Sequence, residues 1–335
     1  MTVYLILKIG ILIFLIWIGF KMGTLVLSID FELRWGMLDR VGQDVEKYKS
    51  NLLSVHDNLP WMLQVFEERN IAATWATVGA LGCDNWDEFD RVRPKHKPSY
   101  KNEALDYVND FNQKLDPNGE LYFAPKLIRD IIGTAKQELG THTFGHIYGT
   151  EPDVTYEELK IDLLTVKEFF SKKFGVTPES LVFPRNQVIY ENKLIQDDVI
   201  KTYRGNENVT YLSAENQKEK QFFNRVKILL DAINPYISHD YNKNDIVNGN
   251  VLSSSMFKIH LPELLRKAHL SKLKHNITRL KSDEIYHIWY HPHNLGRSPK
   301  KKDDFLRFFD FIGEKIATNK LDSENMGSIL SKVSS

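Results

Sequence analysis

Four short stretches concentrate side chains able to bind a metal ion or move a proton. In Ser-Ile-Asp-Phe-Glu, Asp30 and Glu32 lie two residues apart. In a strand they share one face with Cα atoms about 6.6 Å apart, so one carboxylate can bind a metal while the other handles a proton. His142 and His146 frame His-Thr-Phe-Gly-His. At i and i+4 of a helical turn their Cβ atoms would be about 5–6 Å apart, which suits two nitrogen ligands on one ion. Adding one carboxylate gives a two-histidine, one-carboxylate set with positions open to water and substrate, suited to catalytic zinc and also to iron, cobalt or manganese. In Phe-Pro-Arg-Asn, the Arg185 guanidinium is expected to pair with Asp30, lower its pKa and hold it as a base. In Trp-Tyr-His-Pro-His, residues His287, Trp289 and His291 alternate onto one strand face. If His291 points into the site as a general acid, Trp289 lines it. Taken singly, each stretch also has an ordinary structural reading: capping acids, a chance histidine pair, a surface arginine, a core histidine.

The elements that must position these residues follow from the pattern around them. Short apolar runs at 24–30, 71–79, 138–142, 181–185, 199–205, 251–257 and 284–291 read as strands. Helical spacing marks 51–69, with Pro60 as a kink, and 125–137. A third helix begins at the Thr155/Glu158 capping-box pattern and ends at Gly175, and a fourth spans 303–318. Strands alternating with helices predict a parallel α/β architecture, open or closed. The chemistry-bearing residues fall at or just past the C-terminal ends of the strands, the edge where such folds build their sites. Residues 84–120, rich in proline and charge, form a polar insertion that could rim the site.

Composition narrows the alternatives. Lysine and arginine together number 44, as do aspartate and glutamate, so the basic excess of a dedicated nucleic-acid binder is missing. The single cysteine, Cys83, excludes an internal disulfide framework and a four-cysteine zinc site. Residues 3–20 are apolar except for Lys8 and are long enough for a short membrane span. Residues 1–21 therefore read either as a membrane anchor or as a mis-assigned start. The expected location is cytoplasmic, with attachment to the inner face of the membrane if the anchor is real. The basic run 266–281 reads as a solvated helix face, or as a surface for anionic lipid or a diphosphate.

Together the four stretches resemble the polysaccharide deacetylase family with the NodB homology domain (carbohydrate esterase family 4). His-Thr-Phe-Gly-His fits that family's H-S/T-x-x-H pattern, and the likeness runs over residues 22–320, leaving 321–335 as a C-terminal tail. The D-x-E motif is similar to a divergent branch that includes enzymes of surface-polysaccharide biosynthesis. The resemblance implies a distorted, incomplete (β/α)7 barrel and one divalent metal ion, zinc in the first place, held by Glu32, His142 and His146. It further implies Asp30 as catalytic base, Arg185 as the arginine orienting it, and His291 as general acid, with His293 near enough to rival it. The expected reaction is removal of an N-acetyl group from an amino sugar of a surface polysaccharide or its precursor. Trp35, Trp289 and His293 are candidate substrate contacts. Two features depart from the family pattern: proline precedes Arg185 rather than following it, and the Trp/Asp motif that tunes the acid histidine is missing. A cyclic imide or another amide as substrate, or a glycan-binding pseudoenzyme, are the alternatives.

Overall fold

The computed structural model describes residues 23–40, 45–108, 110–207 and 221–334. The apolar segment 1–21, expected as an anchor, lies outside the described residues. Among the described residues, no helix is long and apolar enough to cross a membrane.

The central strand is β1 (Thr24–Phe31), buried along its entire length. Its near-continuous apolar run is what a strand covered on both faces requires. Parallel to it lie β2 (Ala73–Thr77) on one side and β9 (Glu284–Tyr290) on the other. The sheet continues from β2 through β3 (Gln137–Thr141), β4 (Ser180–Leu181) and β5 (Thr202–Gly205) to β7 (Asn250–Leu252). The run expected as one strand at 251–257 divides between two neighbours. Its first part, β7, pairs with β5, and its second, β8 (Ser255–Met256), pairs with β9. At the junction the Ser253 N–H donates to the Gly205 carbonyl at 2.9 Å and the Ser254 N–H to the His287 carbonyl at 2.8 Å. That bridge brings the two sheet edges together into a nearly closed barrel with a seam, the distorted (β/α)7 architecture expected. Two short additions, β6 (Tyr241–Asn242) and β10 (Asp322–Glu324), pair with β9 and β1.

Among the described residues, seven helices of nine or more residues surround the sheet: α1 (Val45–Glu68), α2 (Pro125–Gly133), α3 (Tyr156–Phe174), α4 (Gln221–Ile233), α5 (Glu263–Arg279), α6 (Pro299–Ala317) and α7 (Met326–Ser334). Phe66 of α1 and Phe305 and Phe309 of α6 pack ring against ring, with centroids 4.5–6.1 Å apart. Within 321–335, read as a tail, residues 322–324 form a strand of the sheet and 326–334 a helix. β2 pairs only with the second half of β1, from Ser28 onward, and β10 fills the first half from Thr24 to Val26. Met326 and Ile329 of α7 are buried behind it.

The basic run 266–281 is only partly a solvated face: Lys267, Arg279 and Lys281 are exposed, but other residues of α5 are not. Arg266, His269, Lys272 and Asn276 all turn inward and are buried. Arg266 pairs with Asp304 at 2.7 Å, His269 meets the Ala232 carbonyl at 2.7 Å, and Lys272 bonds the Asp231 carbonyl. Each buried polar head thus has a partner, which removes the penalty for turning inward.

Helix α3 starts as its sequence predicts: Thr155 caps the Glu158 N–H, and Glu158 reaches back to the Thr155 N–H at 2.9 Å. It stops where Gly175 adopts φ 72°, a left-handed cap. Replacing Thr155 by alanine removes the cap and is expected to cost about 1 kcal/mol, read as a lower denaturant midpoint with an unchanged slope.

Candidate metal centre

Strand register assembles the site. Ile29 lies opposite Tyr290, and Thr77 opposite Thr141. Residues just past those pairs, Asp30, Glu32, His142 and His291, therefore arrive at the same C-terminal edge. Glu32 is buried, with Oε2 3.5 Å from His142 Nε2 and 3.3 Å from His146 Nε2. These three residues are the one metal-competent His/Cys/Asp/Glu group among the described residues, their ligand atoms lying within 4.8 Å of one another.

The two histidines do not sit on a helical turn, as their spacing led one to expect. They lie on a loop after β3 in which Thr143 has φ 62° and His146 has φ 58°. Two left-handed residues in five break any helix, yet they bring the rings to 5.1 Å between centroids. His142 Nδ1 meets the Val182 carbonyl at 2.7 Å, which makes Nδ1 the protonated nitrogen and leaves the Nε2 lone pair facing Glu32. Three supports hold this loop from outside the motif. Buried Asp162 of α3 accepts the Phe144 N–H, and burial raises its carboxyl to about 7 against the pull of that N–H. Tyr107, from the 84–120 insertion, packs so closely under Gly145 that a Cβ there would come within 2.2 Å of its ring. Tyr100, from the same insertion, accepts the Tyr148 N–H at 3.1 Å, so the insertion braces the loop from behind.

Ligand atoms about 2.0–2.1 Å from a tetrahedral ion stand roughly 3.3 Å from one another. The two nitrogen-to-carboxylate separations match that value. Two imidazole lone pairs aimed at a buried carboxylate form a donor set that a divalent cation fits. Burial by itself would raise Glu32, but His291, His142 and His146 outweigh it and hold the carboxyl well below its ordinary range. Burial also lowers His146, against the pull of Glu32, favouring the neutral ring that a metal requires.

Asp30 faces the same space but has a different partner from the one expected. Arg204 of β5 reaches it with a two-pronged bond, Nη1 to Oδ1 at 2.6 Å and Nη2 to Oδ2 at 2.9 Å. Arg204 also donates to Ser28 Oγ at 3.1 Å and Asn186 Oδ1 at 2.8 Å. Burial raises the Asp30 carboxyl, and Arg204 overcomes this and keeps it below its ordinary value. Arg185 does not pair with Asp30. It follows Pro184 with φ 58°, and its guanidinium pairs with Asp39 on the outside of the site. The orienting arginine was overlooked in the sequence, although a lone arginine inside Thr-Tyr-Arg-Gly, the end of an otherwise apolar strand, was its signal.

His291 Nε2 stands 3.4 Å from Glu32 Oε1 and 3.7 Å from Asp30 Oδ2, facing both carboxylates. Its Nδ1 is buried and bonds no described residue. His293 lies behind it, 5.2 Å between ring centroids, and burial pushes it down to about 4. His287 is buried deeper, with Nε2 2.8 Å from Ser28 Oγ. Trp289 edges His291 at 5.8 Å and carries the Arg204 guanidinium over one face at 4.6 Å. Trp35 is not available to a sugar. It is 0% exposed, stacked on Phe89, with Nε1 donating to the Tyr122 carbonyl at 2.8 Å.

Gly36 is a further residue that no motif marked. A Cβ at this position would lie 2.0–2.4 Å from the Glu32 carboxyl atoms. Gly36→Ala must therefore displace Glu32, and a loss of zinc affinity of about 10–100-fold is expected in a chelator competition, with the fold retained. Replacing Arg204 by methionine leaves Asp30 buried and unpaired, at an expected cost of about 3–5 kcal/mol at neutral pH. The sign follows from the lowered carboxyl: the pair's contribution is present above the ordinary value of 3.8 and is lost as pH falls through the folded value. Denaturant midpoints of wild type and variant should converge on acidification.

No family model matches the chain, and no curated protein does. Among solved structures, a protein assigned as a polysaccharide deacetylase from Mycobacterium smegmatis is similar at 14% identity, over 94% of this chain and 91% of that one, with a TM-score of 0.56. A Puue allantoinase is similar at 10% identity, over 93% and 90%, with a TM-score of 0.52. At such identities the likeness is one of architecture. The chain has the polysaccharide deacetylase fold.

Proposed function

We propose that this chain is a metal-dependent hydrolase that removes the N-acetyl group from an amino sugar of a surface polysaccharide or its precursor. The observation that carries this reading is the convergence of Glu32, His142 and His146 on one point, with Asp30 and His291 beside it. Glu32, His142 and His146 would hold one divalent ion, zinc or else cobalt, manganese or iron. When bound, the ion supplies Lewis acidity toward the acetyl carbonyl and a lower pKa for water. Asp30, kept ionised by Arg204, takes a proton from the attacking water. The water oxygen bonds the acetyl carbon, the carbon–nitrogen bond breaks, and His291 gives a proton to the departing amine. Acetate and a free amino sugar result. Trp289, partly exposed beside His291, is placed to line the sugar.

An allantoinase shares the fold, which keeps a non-sugar amide as the second reading. The test is acetate release from a panel of N-acetylated sugars, with allantoin in parallel, by chain stripped of metal and reloaded with zinc, cobalt or manganese. Metal-restored acetate release is the expected result. Stoichiometric metal without acetate from any sugar moves the reading to another amide, or to a glycan binder without turnover. Asp30→Asn is expected to lower kcat by at least about 100-fold while metal content stays at one per chain. A loss of metal in that variant would exchange the roles of Asp30 and Glu32.

A further inference from the structure

Arg185 has no task in the chemistry just described, because Arg204 already grips Asp30 with both prongs. Its surroundings nevertheless put it at the lip of the metal centre. The guanidinium pairs with Asp39 and lies 5.8 Å from the ring centre of Tyr148, a residue whose hydroxyl also faces Asp39. Tyr148 packs edge-on against His146, with 5.2 Å between ring centroids. The Asp39 N–H donates to the same Tyr148 hydroxyl at 3.4 Å, closing a three-residue cluster. About a third of the Arg185 and Asp39 side chains remains exposed, 35% and 33%.

The backbone gives a second indication. Arg185 and Asn186 are successive non-glycine residues with φ 58° and 55°. That turn sends Asn186 inward, where Oδ1 accepts from Arg204, and Arg185 outward to Asp39. Consecutive left-handed residues are retained where surrounding structure enforces them, and they gather at functional sites. A half-exposed ion pair contributes little to stability and does not by itself account for such a turn.

We propose that Arg185 and Asp39 form a substrate subsite beside the metal centre, which recognises the hydroxyl neighbouring the acetamido group of an uncharged sugar. The inference rests on the deacetylase reading and adds a substrate class to it. Asp39 accepts the hydroxyl proton while Arg185 donates to a hydroxyl or ring oxygen, and Tyr148 keeps both at fixed height above His146. Asp39 neutralises the attraction of Arg185 for anions, and a sugar carboxylate placed where Asp39 accepts the hydroxyl would lie against the Asp39 charge, so the pair selects neutral rings over anionic ones.

Binding to the zinc-loaded Asp30→Asn chain tests this without relying on turnover. The probes are N-acetylglucosamine, N-acetylgalactosamine, tetra-N-acetylchitotetraose and the anionic N-acetylmuramic acid, followed by calorimetry. Adding Arg185→Met or Asp39→Asn is expected to weaken the best neutral probe at least tenfold, with zinc content and unfolding midpoint unchanged. Asp39→Asn is also expected to improve N-acetylmuramic acid relative to N-acetylglucosamine. Equal binding of the neutral probes by parent and both variants overturns the subsite and leaves the deacetylase reading standing. Tighter parent binding of N-acetylmuramic acid than of every neutral probe overturns the preference for uncharged sugars. If the parent binds no probe, the deacetylase reading falls and the subsite with it.

Discussion

The two-pronged bond between Arg204 and Asp30 is the constraint on which the site depends. It crosses the interior of the barrel from β5 to β1, strands separated by 174 residues at the contact. Nothing else in the barrel fixes the Asp30 carboxylate so fully. Buried ion pairs are weak contributors to stability once their desolvation is counted, and their value lies in geometry. Here the geometry extends outward through Ser28 to His287 of β9 and through Asn186 to the turn after β4. Four strands' worth of structure is thereby referred to one guanidinium, with Glu32, His142 and His146 beside it at the same barrel edge.

That group is held from below and behind. Gly36 leaves room for the Glu32 carboxyl, Asp162 clamps the chain between the two histidines, and Tyr107 fills the space under Gly145. None of these residues offers a ligand atom to the centre. They remove alternatives: without them the histidine loop, with two left-handed residues, would have several conformations of similar energy. Rigid support of this kind is what keeps ligand atoms near their working separation.

Much of this was legible in the sequence, and the failures have physical causes. Apolar runs ending in Asp30, His142 and His291 located the strands and the edge they share, because burial imposes its pattern locally. Arg185 misled because a motif gives position along the chain but not direction; two left-handed residues turned its side chain outward, and the partner of Asp30 came from a strand that no motif marked. The His142/His146 spacing was compatible with a helical turn, and only the dihedrals of Thr143 and His146 decide for a loop. Trp35 looked like a sugar platform from its place after β1, yet its neighbours Trp86, Phe89 and Tyr122 arrive from elsewhere in sequence to bury it. In β10, Asp-Ser-Glu has no apolar alternation, so pairing with β1 could not be read from composition. On α5, inward-facing basic residues defeat the rule that charge lies outside, since their partners Asp231 and Asp304 are distant in the chain.

Because β1 runs from Thr24 toward Glu32, its first residue lies at the end of the barrel opposite the candidate metal centre. Eight strand residues span β1, about 26 Å along the strand at 3.3 Å per residue. The Thr24 end of β1 thus marks the floor of the barrel, and the edge carrying Glu32, His142 and His146 faces the opposite way.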